Sequence, residues 1–132
     1  MKLNTLNTEN WMSNLFNRDF INQEYCDEDF ANAYLDQRDT DPFDAKWVQA
    51  DKQLEANTAQ HFSKEETQEI EEIKTKWRTA FFEKVIKKTH HADLSAYISE
   101  DIELITGYML TGIENDFVRG MIEAFENNEL PA

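Results

Sequence analysis

The pattern of apolar and polar positions is clearest between residues 63 and 89, where it predicts one long helix. Apolar residues recur there at steps of three and four, which is the spacing of one helix face. Ser63 and Glu66 fit the S-x-x-E capping box. Glutamates near the start and lysines near the end complement the helix dipole. We expect this helix to be central, with a buried stripe made of Ile70, Ile73, Trp77, Ala80, Phe81 and Val85.

Shorter segments with the same spacing predict further helices on both sides of the long one. Their predicted ranges are about 9–21, 28–36, about 42–55, 100–111 and 116–128. The expected caps at their ends are Asp27, Asp41, Ser99, Gly112 and Asn115. Segment 90–101 is expected to form a break or a short helical turn. The residues predicted to point inward are Trp11, Leu15, Phe16, Phe20, Phe30, Ala33, Tyr34, Phe43, Trp47, Val48, Leu54, Ile102, Ile105, Tyr108, Met109, Phe117, Met121, Ile122 and Phe125.

These elements add up to an all-α fold, which we predict to be a single compact domain over residues 1–132, a bundle of five to seven helices. Only three Gly and two Pro occur in 132 residues, and this scarcity favours long helices over a turn-rich sheet protein. A chain of this size is expected to bury about two-thirds of the surface that its unfolded form exposes. Nine Phe, four Tyr and three Trp supply a core that a disordered acidic tail would lack.

Negative charge is concentrated in two parts of the chain. The net charge is −14, from 27 acidic and 13 basic residues. Residues 24–44 carry −7 with a single basic residue, and residues 93–132 carry −8. Residues 45–92 are nearly balanced at +1, so solubility alone does not require this distribution. The excess of acid argues against direct binding of nucleic acid or of an anionic membrane surface.

The first acidic part, "CDEDFANAYLDQRDTDPFD" at 26–44, also contains large aromatic residues. This combination suits a basic protein partner, because charge steers association and aromatic side chains anchor an interface. Phe30 is expected in the core, and Tyr34 or Phe43 is the candidate anchor. Acidic residues between 100 and 116 form the alternative interface. The predicted partner-binding residues are Asp27, Glu28, Asp29, Tyr34, Asp36, Asp39, Asp41, Glu100, Asp101 and Glu103. The simplest alternative is a solvated acidic face that only maintains solubility.

Motifs for catalysis or cofactor binding are missing from the sequence. No G-x-G-x-x-G, G-x-x-x-x-G-K-[ST] or G-x-S-x-G pattern occurs. None of His61, His90 and His91 has a glutamate three residues earlier, as the Glu-x-x-His motif of a di-iron bundle requires. We therefore expect no catalytic residue, no cofactor and no metal site.

The cellular compartment follows from the cysteine content and from the apolar runs. Cys26 is the only cysteine, so no internal disulfide can form, and a reducing compartment fits best. We expect Cys26 to behave as a small, partly buried apolar residue. No apolar run has the length of a signal-peptide core or of a membrane span. The expected location is the cytoplasm.

Basic cytoplasmic proteins are commonly those that hold phosphates, such as nucleases. A small acidic protein can occupy such a surface by mimicking the polyanion. We therefore expect a non-catalytic inhibitor that binds and neutralises a basic toxin domain, with a nuclease as the leading type. The alternatives are an acidic helical adaptor and a DNA-mimic regulator that bind another basic protein. An enzyme fits these residues least.

The segments "ISEDIELI" at 98–105 and "ENDFVRGMIEAFENNELP" at 114–131 are similar to a known family. Together they make residues 97–131, roughly a quarter of the chain, resemble the C-terminal part of bacterial immunity proteins from polymorphic-toxin and contact-dependent growth inhibition systems. The resemblance implies a short, acidic, cytosolic protein that is encoded beside the toxin that it neutralises. It carries no individual binding residues across, and it leaves the activity of the toxin and the oligomeric state open.

Overall fold

The computed structural model describes residues 3–132. Its two longest helices pack against each other. In chain order, the elements are α1 (Thr5–Phe16), a 3-10 turn (Gln23–Cys26), α2 (Glu28–Arg38), α3 (Phe43–His61), α4 (Lys64–Thr89), α5 (Ala92–Thr111) and α6 (Asp116–Glu126). The helices α4 and α5 contact each other more extensively than any other pair. No strand occurs within residues 3–132, and the predicted all-α bundle of five to seven helices is confirmed.

The long helix α4 begins as the sequence predicts. The Ser63 hydroxyl accepts a hydrogen bond from the Glu66 amide at 3.1 Å, and the Glu66 carboxylate accepts one from the Ser63 amide at 2.8 Å. These two bonds complete the capping box and satisfy amides that the first turn leaves without helical partners. The buried face of α4 consists of Ile70, Lys74, Trp77, Phe81, Val85 and Thr89. The helix ends where His90 adopts a left-handed conformation, with a φ of 57°.

Helix α5 begins earlier than predicted, and it is the more deeply buried of the pair. It starts at Ala92, so the predicted cap at Ser99 is wrong, and the break predicted at 90–101 is limited to His90 and His91. His91 caps the helix instead, since its Nδ1 accepts a hydrogen bond from the Leu94 amide at 3.1 Å. Ser99 lies buried inside the helix, and its hydroxyl donates to the Ala96 carbonyl at 2.8 Å. Because its hydroxyl is bonded within the helix, Ser99 does not compete for the hydrogen bonds of the helical backbone.

Several other helix boundaries differ from the predicted ones by two to six residues. Helix α1 spans Thr5–Phe16 rather than 9–21, and Phe20 and Ile21 are buried beyond its end. Helix α3 continues to His61 rather than stopping near 55, and helix α2 continues to Arg38 rather than stopping at 36. The predicted caps also differ in detail. Asn115 caps α6 through the Val118 amide, Asp41 bonds the Ala45 amide inside α3, and Asp27 precedes α2 without a capping bond from its side chain.

Three residues predicted to point inward lie at the surface. Phe30, Ala33 and Val48 are exposed, because the buried face of α2 runs through Ala31, Tyr34, Leu35 and Arg38 and that of α3 through Ala50, Leu54 and Thr58. Phe30 is 39% exposed and packs its ring against the edge of Tyr25, with centroids 5.0 Å apart. Cys26, which was expected to be partly buried, is also exposed.

The main core is shared by all six helices, and a glycine sets the closest approach between two of them. A Cβ at Gly107 of α5 would lie 2.5 Å from Cδ2 of Leu54 on α3, which is far too close for two carbons. Gly112 takes the left-handed conformation that ends α5, with a φ of 71°, and its predicted role as a cap is confirmed. The third glycine, Gly120, lies inside α6 with no heavy atom within 4 Å of the position of a Cβ.

Removing the capping box of α4 tests how much this helix start contributes to stability. We expect Ser63→Ala to lower the free energy of unfolding by about 1 kcal/mol, because two amide hydrogen bonds lose their partner or their geometry. Urea denaturation measures the difference. Ser13→Ala, an exposed serine in the interior of α1, is the matched control and is expected to change stability by less than about 0.5 kcal/mol. Equal effects at both positions would contradict the prediction.

Candidate functional site

A buried arginine lies where helices α2, α3 and α5 meet. Arg38, the last residue of α2, has only 5% of its surface exposed, and its partner Asp101 on α5 has none. The guanidinium binds the carboxylate through two bonds, Nη1 to Oδ2 at 2.9 Å and Nη2 to Oδ1 at 2.7 Å. Trp47 of α3 donates its indole N–H to the same Oδ1 at 2.9 Å. The two charges therefore balance each other inside the protein, with three helices contributing to the same group of bonds.

Aromatic rings surround the same guanidinium. Its Cζ lies 4.4 Å from the centroid of Phe43, 5.7 Å from that of Tyr34 and 5.6 Å from that of Tyr97. The Tyr34 hydroxyl accepts a hydrogen bond from Nη1 of Arg38 at 2.8 Å and donates one to the carbonyl of Pro131. Tyr34 thereby connects the charged pair to the segment that follows α6. Cation–π contacts of this kind favour a guanidinium that has lost its water.

Burial and charge act in opposite directions on this group of residues. Burial on its own lowers the pKa of Arg38, but the Asp101 carboxylate and the Tyr34 hydroxyl outweigh it, so the pKa lies above its ordinary value. Burial raises the pKa of the Asp101 carboxyl, while Arg38 and the Trp47 N–H act to lower it. Burial also raises the pKa of Tyr34 well above its ordinary value of 10.0. Arg38 and Tyr34 thus keep their protons at neutral pH, as the observed hydrogen bonds require.

A cavity of about 240 Å³ opens to solvent next to this buried pair. We call it the acid–aromatic pocket. Its lining combines acidic residues with aromatic walls and consists of Arg38, Asp39, Phe43, Asp44, Trp47, Val48, Tyr97 and Glu100. Val48, at 40% exposed, is one of the few large apolar residues at the surface. Since Asp101 neutralises Arg38, the carboxylates of Asp39, Asp44 and Glu100 are left as excess negative charge.

Two residues of the pocket have a raised pKa. A hydrogen bond from the Tyr97 hydroxyl to Oδ1 of Asp39, at 2.6 Å, together with burial, raises the pKa of Tyr97 to about 12. Burial, followed by the nearby carboxylates of Asp101 and Glu103, raises the pKa of Glu100. A cation in the pocket would meet the carboxylates of Asp39, Asp44 and Glu100 and the faces of aromatic rings. The lining therefore suits a positively charged side chain.

The structure separates the predicted partner-binding residues into three groups. Asp39 and Glu100, which come from the two acidic parts of the chain, meet in the acid–aromatic pocket. Asp27, Glu28, Asp29, Asp36 and Asp41 are exposed elsewhere, and Glu103 pairs with Arg78 at 2.9 Å. Tyr34 and Asp101 are buried and bound to Arg38, which corrects the prediction that they contact a partner. Their role in this structure is to hold the floor of the pocket in place.

Sequence reasoning missed several residues that form the site. In the sequence, Arg38 stands out only as the single basic residue of an acidic segment. That position among acids was the available sign that it pairs with one of them. A lone arginine among acids and aromatic residues is often the buried partner of one of them. Asp44 and Trp47 were assigned to acidic surface and to core, respectively, and both line the pocket. The pairing of Arg38 with Asp101 spans 63 residues and leaves no local pattern.

The side chain of His91 serves a structural role in the described part of the chain. His91 caps α5 and its Nε2 lies 2.8 Å from Oδ1 of Asn32. Within residues 3–132, histidine, cysteine and carboxylate side chains form no group of three or more that could hold a metal ion.

None of the helices between residues 3 and 132 combines the length and the apolar composition that crossing a membrane requires.

Comparison with known proteins gives one match. The family model described as "Immunity protein PIM1" matches residues 10–132, which is nearly the whole chain. No curated protein and no solved structure matches. The match extends far beyond the C-terminal segment that carried the resemblance in the sequence, and it includes every residue of the acid–aromatic pocket.

The buried pair makes a strong prediction about stability. We expect Asp101→Asn to lower the free energy of unfolding by about 3–5 kcal/mol, because Arg38 would keep a buried charge without a counter-charge. Glu103→Gln is the matched control on the same helix. Its partner Arg78 is 46% exposed, so the loss is expected to be about 1 kcal/mol or less. Urea denaturation measures both. The double variant Arg38→Met/Asp101→Leu should regain much of the lost stability, and equal losses for Asp101→Asn and Glu103→Gln would contradict the assignment.

The raised pKa of Glu100 predicts a pH-dependent gain in stability when its charge is removed. A carboxyl whose pKa is higher in the folded than in the unfolded protein destabilises the fold as pH rises past its ordinary value of 4.5. We therefore expect Glu100→Gln to raise the melting temperature at pH 7, and the difference from wild type to shrink towards pH 4. Glu55→Gln, an exposed position of α3, is the control. A Glu100→Gln variant that melts lower than wild type at pH 7 would contradict the prediction.

Proposed function

This chain belongs to the immunity protein PIM1 family, and from that premise we propose that it inhibits a cognate toxin domain by covering its basic, phosphate-binding surface. Membership of an immunity protein family indicates an inhibitor that neutralises a toxin. The finer parts of the proposal concern the toxin, for which we infer a nuclease, and the surface of this chain that binds it. The inhibition is stoichiometric and takes place in the cytoplasm, without catalysis by this chain.

The acid–aromatic pocket is the observation that carries this proposal. A nuclease must hold phosphates, and it does so with arginine and lysine side chains. The pocket presents Asp39, Asp44 and Glu100 around the rings of Trp47 and Tyr97. A guanidinium or ammonium group placed there would pair with carboxylates and lie against aromatic faces, which occupies the group that the toxin needs for its substrate.

The rigid floor of the pocket supports the same role. The side chains of Arg38 and Asp101 are held by bonds from three helices, and the walls are packed on them. A partner that binds here therefore meets a preformed site and loses little affinity to ordering its walls. Buried aromatic anchors with charges around them are the residues that dominate the binding energy of protein interfaces.

The other exposed acids act at longer range. Asp27, Glu28 and Asp29 lie at the start of α2, with Asp36 and Asp41 farther along the chain, and they line no part of the pocket. With a net charge of −14, the protein attracts a basic partner over about a Debye length and speeds up association. We assign Asp27, Glu28, Asp29, Asp36 and Glu103 to steering rather than to the anchored contact. Asp41 is set apart from them because it lines the cavity of about 440 Å³ that adjoins this pocket.

Equal removal of charge at three places distinguishes anchoring from steering. The pocket variant is Asp39→Asn/Asp44→Asn/Glu100→Gln, the α2 variant is Asp27→Asn/Glu28→Gln/Asp29→Asn, and the control is Glu55→Gln/Glu69→Gln/Glu83→Gln in the charge-balanced part of the chain. The probe is the toxin domain encoded beside this chain's gene, with affinity and rates measured by surface plasmon resonance. We expect the pocket variant to bind about 100-fold more weakly, mainly through faster dissociation.

The other two variants should behave differently from the pocket variant. The α2 variant is expected to associate more slowly by a few-fold at low salt, with nearly unchanged dissociation. The control should stay close to wild type. Three variants with the same modest loss, which disappears at high salt, would mean that charge acts only at long range and that the pocket is not the anchor. Wild-type protein that neither binds nor inhibits this toxin domain would overturn the proposed function.

A further inference from the structure

One glycine of this protein has no explanation inside the fold. Gly107 is required by the close contact with Leu54, and Gly112 by its left-handed conformation. Gly120 lies in the interior of α6, where glycine is less favourable than any residue except proline. A Cβ at this position would have no heavy atom within 4 Å, so the fold would accept a larger residue without a clash. The chain's own packing therefore gives no reason for a glycine here.

Gly120 lines a groove of about 440 Å³ between α6 and the start of α3. The apolar part of the groove includes the rings of Phe43 and Phe117, which meet edge to face at 4.9 Å, together with Met121 and Pro131. Without a side chain on Gly120, the backbone of α6 is open to whatever enters the groove. A groove of this kind accepts an apolar side chain and lets the segment that carries it approach the helix closely.

The charged residues of the groove indicate what kind of segment fits. Asp41 and Asp116 lie in its lining, and Lys46 is the one basic residue there. The side chain of Asp116 is 97% exposed and pairs with Arg119 at 3.2 Å, a contact that solvent weakens and that a partner can replace. The carboxylates therefore favour basic residues next to the apolar side chain that enters.

The groove adjoins the acid–aromatic pocket, because Phe43 lines both cavities. Phe43 contacts the guanidinium of Arg38, with Cζ 4.4 Å from its centroid, and it packs on Phe117 of α6. A single partner segment that runs across Phe43 can thus place a basic side chain in the pocket and an apolar side chain in the groove. The pocket would contribute mainly charge to the interface, and the groove would contribute mainly apolar area.

We propose that the Gly120 groove binds an apolar side chain of the toxin, on a segment whose neighbouring basic residues meet Asp41 and Asp116, and that Gly120 is a glycine to let this segment reach the helix. The proposal rests on the proposed function, since its occupant is part of the same toxin domain. It adds a second contact that needs apolar area and space rather than charge.

The test uses substitutions whose effects on stability and on binding have opposite signs. Gly120→Ala and Gly120→Gln both introduce better helix formers at an exposed position, so we expect melting temperatures about 3 °C higher than wild type. Gly120→Gln also fills the groove, and we expect it to bind the toxin domain encoded beside this gene about tenfold more weakly. Gly120→Ala should lie between wild type and Gly120→Gln. Ala56→Gln, an exposed position of α3 outside both cavities, is the matched control and should bind like wild type.

The outcomes separate this proposal from the proposed function. If both Gly120 variants bind the toxin domain with the affinity of wild type, the groove proposal is overturned and toxin inhibition remains intact. Lower melting temperatures in both variants would also overturn it, because the fold itself would then require the glycine. A shift from dimer to monomer in Gly120→Gln, measured by sedimentation, would mean that a second copy of this chain occupies the groove instead. Absence of toxin binding by wild type would overturn both.

Discussion

The structure depends on a buried ion pair between Arg38 and Asp101, because three helices are positioned by the bonds that this pair requires. Two charges inside a protein are expensive to desolvate, and the loss is offset only when the geometry is good and the remaining bonds are satisfied. Here α2 supplies the cation, α5 the anion and α3 an indole N–H to the same carboxylate. Any rotation of one of these helices would break a bond to a group that water cannot reach.

The pairing of Arg38 with Asp101 separates an acid that stabilises the fold, Asp101, from an acid that faces solvent, Glu100. Asp101 is fully occupied by Arg38 and Trp47, so it adds no net charge to the surface. Glu100, its neighbour in sequence, lies on the outer side of α5 and carries a raised pKa, since burial and the carboxylates near it disfavour its charge. Although the two acids are adjacent, Asp101 is neutralised within the core by Arg38, whereas Glu100 forms no such pair within residues 3–132. A count of acids along the sequence does not reveal this division.

The fold was predictable from the sequence wherever the pattern is local. Helical spacing, the capping box at Ser63 and the Gly112 cap identified the all-α class and most of the helices. The start of α5 was missed because Ser99 resembled a helix cap, whereas Ser99 lies inside the helix and donates its hydroxyl to the Ala96 carbonyl. The buried sides of α2 and α3 were misplaced where Phe30 and Val48 are apolar but exposed.

The candidate site was predictable only in part, because it is made by contacts between distant segments. Acidic charge and aromatic residues pointed to Asp39 and Glu100, which do line the pocket. They pointed equally to Tyr34 and Asp101, which are buried. The distinction rests on the pairing of Arg38 with Asp101, and no spacing rule relates two residues that lie 63 positions apart.

Local rules of stability are broken at several positions in the two cavities that share Phe43. Glu100 keeps a charge that its surroundings disfavour, Val48 exposes an apolar side chain, and Gly120 weakens the helix that contains it. Leu6 and Phe30 also expose large apolar side chains elsewhere in the described chain, so the positions around Phe43 are distinguished by combining such a residue with a disfavoured charge and a helix-weakening glycine. Natural proteins commonly accept such conflicts at functional sites and compensate for them in the rest of the fold. The buried pair of Arg38 and Asp101 fixes three helices next to these conflicts, which is the arrangement expected of the binding surface that we propose.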